Sequence, residues 1–222
     1  MDAARARLMR DLLAGTEWAY RTRAFARALR GAGHGPGGLL LVGTPDDEPW
    51  HLTAHLGDEA RYAEVPELSP VLVRHRVPEG APPHLSVDLR RLEAARRGET
   101  LFVVAPGPAP EGLLSRVDDA RHAGATVLAM ESGDRELRAI AHEALTVTGE
   151  PPEHDGGLWQ PAVLAADGVI VPRDLGAAFE TAQHLVSVAA GETVTRAGGR
   201  RGFRDRLARF LEEVSGPATA SP

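Results

Sequence analysis

The chain contains no cysteine, which excludes a disulfide framework, a thiolate metal centre and a cysteine nucleophile. Lysine is absent too, so all 25 basic residues are arginine. Schiff-base chemistry therefore has no amine to use, and a Walker-type phosphate loop would lack its lysine. Asparagine is also missing, and the heavy use of Ala, Arg, Gly and Pro fits a GC-rich, bacterial genome. No apolar run approaches the roughly 20 residues of a membrane helix. Met1 to Arg10 is charged and amphipathic and lacks the apolar centre of a secretory signal. A soluble, cytoplasmic protein with no membrane partner is expected. The net charge of −6 provides no global attraction to nucleic acid.

What is present fits one domain: 222 residues, 43% of them hydrophobic, can bury a core without a metal or disulfide staple. Apolar residues at helical spacing, Leu8, Leu12, Leu13, Trp18, Phe25 and Leu29, predict a helix over 2–30. A glycine-rich joint, 31–38, ends it. Leu39-Leu40-Leu41-Val42 is a continuous apolar run too short for a helix, as expected of a strand buried on both faces of a parallel sheet. A turn at 44–47 follows, with Thr44 or Asp46 placed to cap a helix running to about Ala63. Further strands are expected at 71–73, 101–105, 125–130 and 145–147, with helices at 84–97, at 111–124 and from the 131–134 turn through Ala144. Leu85, Leu89 and Leu92 would form the inward face of the first of these helices.

Such alternation predicts an α/β fold, a doubly wound five-stranded parallel sheet with extra N- and C-terminal helices. Its α/β core would span 38–149. A Pro/Gly/acidic loop at 150–157 leads to a helical segment over 158–190, interrupted near Val171-Pro172, whose part from Leu175 to Ala190 is apolar on most sides through Leu175, Phe179, Ala182, Val186 and Ala189. Such a helix is buried in the domain or at a subunit interface. The single domain then covers 1–195. Residues 196–222 form an Arg-rich linker, a short helix at 202–215 and a disordered tail. The arginines at 196, 200, 201, 204, 206 and 209 suit an acidic partner, or a solvated helix face balanced by Glu212 and Glu213.

His122-Ala123-Gly124-Ala125-Thr126-Val127-Leu128-Ala129 and the helix Arg135 to Ala141 resemble the strand entry and following helix of the SIS (sugar isomerase) family of phosphosugar-binding domains. The resemblance is plainest over 98–147 and extends by order and spacing over 38–190. It implies the SIS, or flavodoxin-like, strand order and a sugar or sugar-phosphate derivative as ligand. That family grips phosphate with a Ser/Thr-rich loop after the third strand, using hydroxyls and helix N-terminal amides. The matching loop here, Ala105-Pro106-Gly107-Pro108-Ala109-Pro110-Glu111-Gly112, has no hydroxyl. Its three prolines donate no N–H, and Glu111 repels phosphate. Phosphosugar binding in the family's usual mode is therefore not expected.

Ligands in such sheets sit beyond the carboxyl ends of the strands. That makes Thr44, Asp46, Asp47, Gly107, Glu111, Ser132 and Asp134 the ligand-binding candidates, although Asp46, Asp47, Ser132 and Asp134 would serve equally as helix caps. His51, His55, Asp58 and Glu59 share one side of the first crossover helix. His55 and Glu59 stand four residues apart, a spacing similar to that of the zinc-binding helix of sedoheptulose-7-phosphate isomerases. This weaker resemblance implies a metal set of His55, Glu59 and His184, with Glu59 and His184 as proton carriers. Against it, the late helix offers Thr181 and Ala189 where that family places ligands. The same residues would also make an ordinary solvated face. The expectation is a homo-oligomeric (dimeric) binding or regulatory domain with no cofactor, taking a small sugar-derived ligand or a protein partner. A zinc-dependent sugar-phosphate isomerase is the alternative.

Overall fold

The computed structural model describes residues 17–32, 35, 37–147, 163–164, 170–171 and 175–191. Helix α1 (Glu17–Ala32) leads to β1 (Leu39–Val42), α2 (Trp50–Tyr62), β2 (Pro70–Val73), the short α3 (Arg90–Glu93), β3 (Thr100–Ala105) and α4 (Glu111–His122). Then come β4 (Thr126–Glu131), α5 (Arg135–Ile140), β5 (Glu143–Thr146), a β6/β7 pair (Val163–Leu164, Ile170–Val171) and α6 (Leu175–Gly191). The five main strands form one parallel sheet of order β2-β1-β3-β4-β5. The α/β, doubly wound fold expected from the sequence is thus the observed one.

Each strand divides its side chains between two cores, as the period of two requires. Leu39, Leu41, Phe102, Val104, Leu128, Met130, Leu145 and Val147 face α1, α2 and α6. Leu40, Val42, Leu101, Val103, Ala105, Val127 and Ala129 face α3, α4 and α5. This two-sided burial is why the strands read as unbroken apolar runs. Phe25 of α1 meets Phe102 at a ring-centroid distance of 5.2 Å, a favourable tilted aromatic pair. The apolar side of α6 (Ala178, Phe179, Ala182, Val186, Ala190) is consumed inside this core. Arg30 of α1 fastens its far end by donating to the Ala189 and Ala190 carbonyls at 2.5 and 3.2 Å, a cation against the negative end of a helix dipole.

The Ala123-Gly124-Ala125 stretch is the stop signal of α4. Gly124 has φ +95° and donates to the Arg121 carbonyl, while Ala125 donates to Ala120. This is the Schellman arrangement, which favours glycine at its left-handed position.

Four local expectations are corrected. Helix α2 starts at Trp50, later than expected, with Pro49 as its N-cap and no side-chain cap. Neither Thr44 nor Asp46 caps it, because a turn closed by Asp47 N–H donating to the Thr44 carbonyl intervenes. The expected 84–97 helix is reduced to a 3-10 turn at Pro83–Leu85 and to α3. There Val87 and Asp88 are drawn out as an extension of the sheet edge, with Arg74 N–H donating to the Val87 carbonyl and an Arg74–Asp88 bridge; Leu92 alone of the three leucines is fully buried. Helix α5 ends at Ile140, short of Ala144, because His142 pairs with β4: its N–H donates to the Val127 carbonyl and its Nδ1 accepts from Val127 N–H. In the 158–190 segment, Val163–Leu164 and Ile170–Val171 form an antiparallel pair, not helix. The N-terminal part of the 2–30 helix, the 150–157 loop and everything from 192 onward, including the 202–215 helix and the tail, lie outside the described residues.

Candidate functional site: a cleft at the strand ends and a histidine cluster

Residues that the sequence pointed to gather at three places. The first is a cleft of about 410 Å³ beyond the carboxyl ends of β1 and β2, lined by Pro45, Asp46, Asp47, Glu48, Trp50, Arg74, His75 and Arg76. Two loops build it, and interactions between them hold it. The Glu48 carboxylate accepts from Arg74 Nε at 3.0 Å and from the His75 backbone N–H at 3.2 Å. The His75 ring nitrogen Nε2 lies 2.8 Å from the Gly43 carbonyl oxygen, a separation that requires Nε2 to carry the proton and donate. The Arg74 guanidinium lies 4.6 Å over the Trp50 ring, which adds a cation–π contact.

Glu48, Arg74 and His75 thus shape the wall, while Asp46, Asp47 and Arg76 stand exposed at the opening. Gly43 makes the tight entry possible. A Cβ there would lie 1.9 Å from the Asp47 carbonyl oxygen and 2.7 Å from Pro49 Cδ. Thr44, also a ligand candidate, is buried at the loop base. Sequence reasoning missed Trp50, Arg74, His75 and Arg76. For Arg74, His75 and Arg76 the available signal was their position just after the strand expected at 71–73; for Trp50 it was its place just beyond the 44–47 turn.

The second place is the loop pair after β3 and β4, where the family-like phosphate site would stand. Asp134 caps α5, its Oδ1 accepting from the N–H groups of Glu136 and Leu137 at 3.1 and 2.9 Å. Its Oδ2 reaches across to accept from Ala109 N–H at 2.9 Å. The protein's own carboxylate therefore takes the amides that an anion would need. Gly107 and Ser132 are half-buried in these loops, and Glu111 is exposed at the start of α4. Behind Asp134, at the end of β4, Glu131 is fully buried. Its Oε1 accepts from Thr146 Oγ1 at 2.5 Å and from Arg138 Nε and a terminal nitrogen at 3.0 and 2.9 Å, a network that closes this end of the sheet.

The third place lies between α2 and α6. His51, His55 and His184 bring one ring nitrogen each to within 4.8 Å of one another. His51 is exposed, and the other two are half-buried. The Nε2 atoms of His51 and His55 are 2.9 Å apart, and the His55 and His184 rings meet edge to face at 4.7 Å. Burial first, then the neighbouring imidazoles of His55 and His51, pushes His184 down to about 4. Burial and His51 also lower His55, against a smaller opposing pull from Asp58. His55 and His184 are therefore free bases near neutral pH.

The structure thus brings His55 and His184 together, with His51 as the third member. Glu59 is directed elsewhere: its carboxylate lies against Gly191 at the end of α6, where an added Cβ would come within 1.8 Å of its Oε2. Glu180 is exposed and Gln183 half-buried on α6.

No protein-family model matches the sequence, and no curated protein matches it. Solved structures similar to the chain include the following two. One is a candidate sugar-binding protein of Salmonella typhimurium LT2, 15% identical, TM-score 0.49, over 91% of this chain and 50% of that one. The other is the NanR protein of Vibrio vulnificus in complex with ManNAc-6P, 12% identical, TM-score 0.48, over 96% of this chain and 67% of that one. The chain thus spans half the length of the first and about two thirds of the second. Among the described residues, no helix is long and apolar enough to cross a membrane.

Proposed function

We propose that this chain is a binding domain for a small, polyhydroxylated, sugar-derived ligand, and that it acts by binding and assembly, not by catalysis. The observation that carries this reading is the cleft at the carboxyl ends of β1 and β2, with two exposed carboxylates, an exposed guanidinium and an aromatic ring around about 410 Å³. Concave sites with a few polar groups beside an aromatic surface are the usual form of small-molecule sites, and this is the end of a parallel sheet at which ligands bind. Asp46 and Asp47 supply acceptors for paired hydroxyls, Arg76 supplies a planar set of donors, and Trp50 supplies one ring face for a C–H surface.

Two exposed carboxylates facing one exposed guanidinium favour an uncharged or amino sugar over a phosphate dianion. The self-occupied amides around Asp134 support the same preference. Assembly as a homodimer belongs to this reading; since the apolar face of α6 is already buried, a dimer would have to use another surface.

The test is a thermal-shift panel of sugars, amino sugars and sugar phosphates, repeated on Arg76→Ala and Asp47→Asn proteins. A ligand at a hundred times its Kd stabilises by about 2.7 kcal/mol, a readily seen shift. We expect an unphosphorylated or amino sugar to raise the midpoint and both variants to lose the effect. A flat panel, or a shift that both variants retain, would refute the cleft as the site.

A further inference from the structure

The histidine cluster has no part in the cleft reading, and its geometry calls for its own explanation. Two helices that meet through apolar residues elsewhere bring three imidazoles together at this point. A shared proton accounts for the 2.9 Å contact between His51 and His55. It leaves His184 unexplained, since its Nδ1 is buried and has no hydrogen-bond partner among the described residues. A buried imidazole nitrogen without a partner is costly, and a Lewis acid satisfies it as well as a donor does. We propose that His51, His55 and His184 form a three-histidine site for a divalent transition metal, zinc in the first instance, with its fourth position open to solvent beside the exposed His51.

The spacing fits. Histidines four residues apart on a helix present both rings to one ion. Tetrahedral zinc, with Zn–N of about 2.0–2.1 Å, places its ligand nitrogens about 3.3 Å apart. The His51–His55 pair, at 2.9 Å, is already near that value. The widest pair, within 4.8 Å, closes with a side-chain adjustment on the order of 1.5 Å.

An all-imidazole set selects zinc, cobalt, nickel or copper and rejects magnesium and calcium, which need oxygen ligands. Three protein ligands with an open fourth position are the arrangement of a metal that can bind or polarise a small molecule. The set also differs from the His55–Glu59–His184 combination implied by the isomerase resemblance: His51 stands in for Glu59, whose carboxylate is packed against Gly191.

The experiment is titration of chelator-stripped full-length protein with Zn²⁺ and Co²⁺, followed by calorimetry and by the visible ligand-field bands of Co²⁺. We expect one equivalent to bind with a tetrahedral-type Co²⁺ spectrum. His51→Ala, at an exposed position, should weaken binding at least about 10–100-fold, a loss that second-shell changes alone can reach, with the fold intact by circular dichroism. Glu59→Gln should leave affinity unchanged. His184→Ala and His184→Gln separate a three-ligand site from a surface histidine pair: both should lose the tetrahedral spectrum. Failure to bind one equivalent, unchanged affinity in His51→Ala, a spectrum surviving in a folded His184 variant, or loss of binding in Glu59→Gln would each overturn the proposal. None of these outcomes depends on the sugar cleft.

Discussion

Asp134 gives the sharpest test of how the strand-end loops are held, because its two oxygens do different work. Oδ1 caps α5 through two amides, and Oδ2 ties in the β3–α4 loop through Ala109 N–H. Loss of an N-cap costs about 1 kcal/mol. Ala109 is buried, and leaving its N–H without an acceptor adds about 1–2 kcal/mol. Asp134→Ala should therefore destabilise by about 2–3 kcal/mol. For a chain of this size that is a midpoint shift of roughly 4–12 °C, at about 2–4 °C per kcal/mol. Asp134→Asn separates the two roles. Asparagine caps as well as aspartate, but with its oxygen on α5 its amide nitrogen faces Ala109 N–H, donor against donor. The expected loss is about half that of alanine. Urea unfolding of the three proteins, with unchanged m-values, measures both differences. Equal midpoints for Asp134→Asn and the parent would refute the cross-loop bond, and equal midpoints for all three would refute the cap as well.

Further outcomes follow from other close contacts. Gly43→Ala would set a Cβ 1.9 Å from the Asp47 carbonyl oxygen; the loop must shift, at a cost of about 1–3 kcal/mol, and any ligand-induced thermal shift should weaken with it. Thr146→Val removes one donor from the fully buried Glu131 carboxylate, and denaturant unfolding should show a loss of about 1.5–3 kcal/mol. In chelator-treated protein, His184 titrates near 4 when folded, against an ordinary 6.5. Between these values the unfolded chain takes a proton that the folded chain refuses. Stability should hold above pH 6.5, then fall by about 3 kcal/mol in total towards pH 4, at about 1.4 kcal/mol per unit. Comparing pH–stability profiles of the parent and His184→Gln isolates that slope, and identical slopes would refute it.

The sheet was legible in the sequence because a strand buried on both faces must be apolar at every position. Leu39–Val42 and Leu101–Ala105 have that character, and so the strand count and fold class followed from composition and order. The Gly124 stop was equally local. Other features depended on neighbours distant in sequence. Pro83 to Asp88 lost its helix because the edge of β2 offered a better hydrogen-bonding partner, and α5 was cut short by His142 pairing with β4. Loop position in the sequence marked Asp46 and Asp47 as cleft residues, but Arg74, His75 and Arg76 join them only because β2 lies beside β1 in the sheet. Sequence spacing put His51 and His55 on one helix face. Only the packing of α6 against α2 brought His184 to them and turned Glu59 away, since helical periodicity fixes which side chains share a face but not which face the next helix will meet.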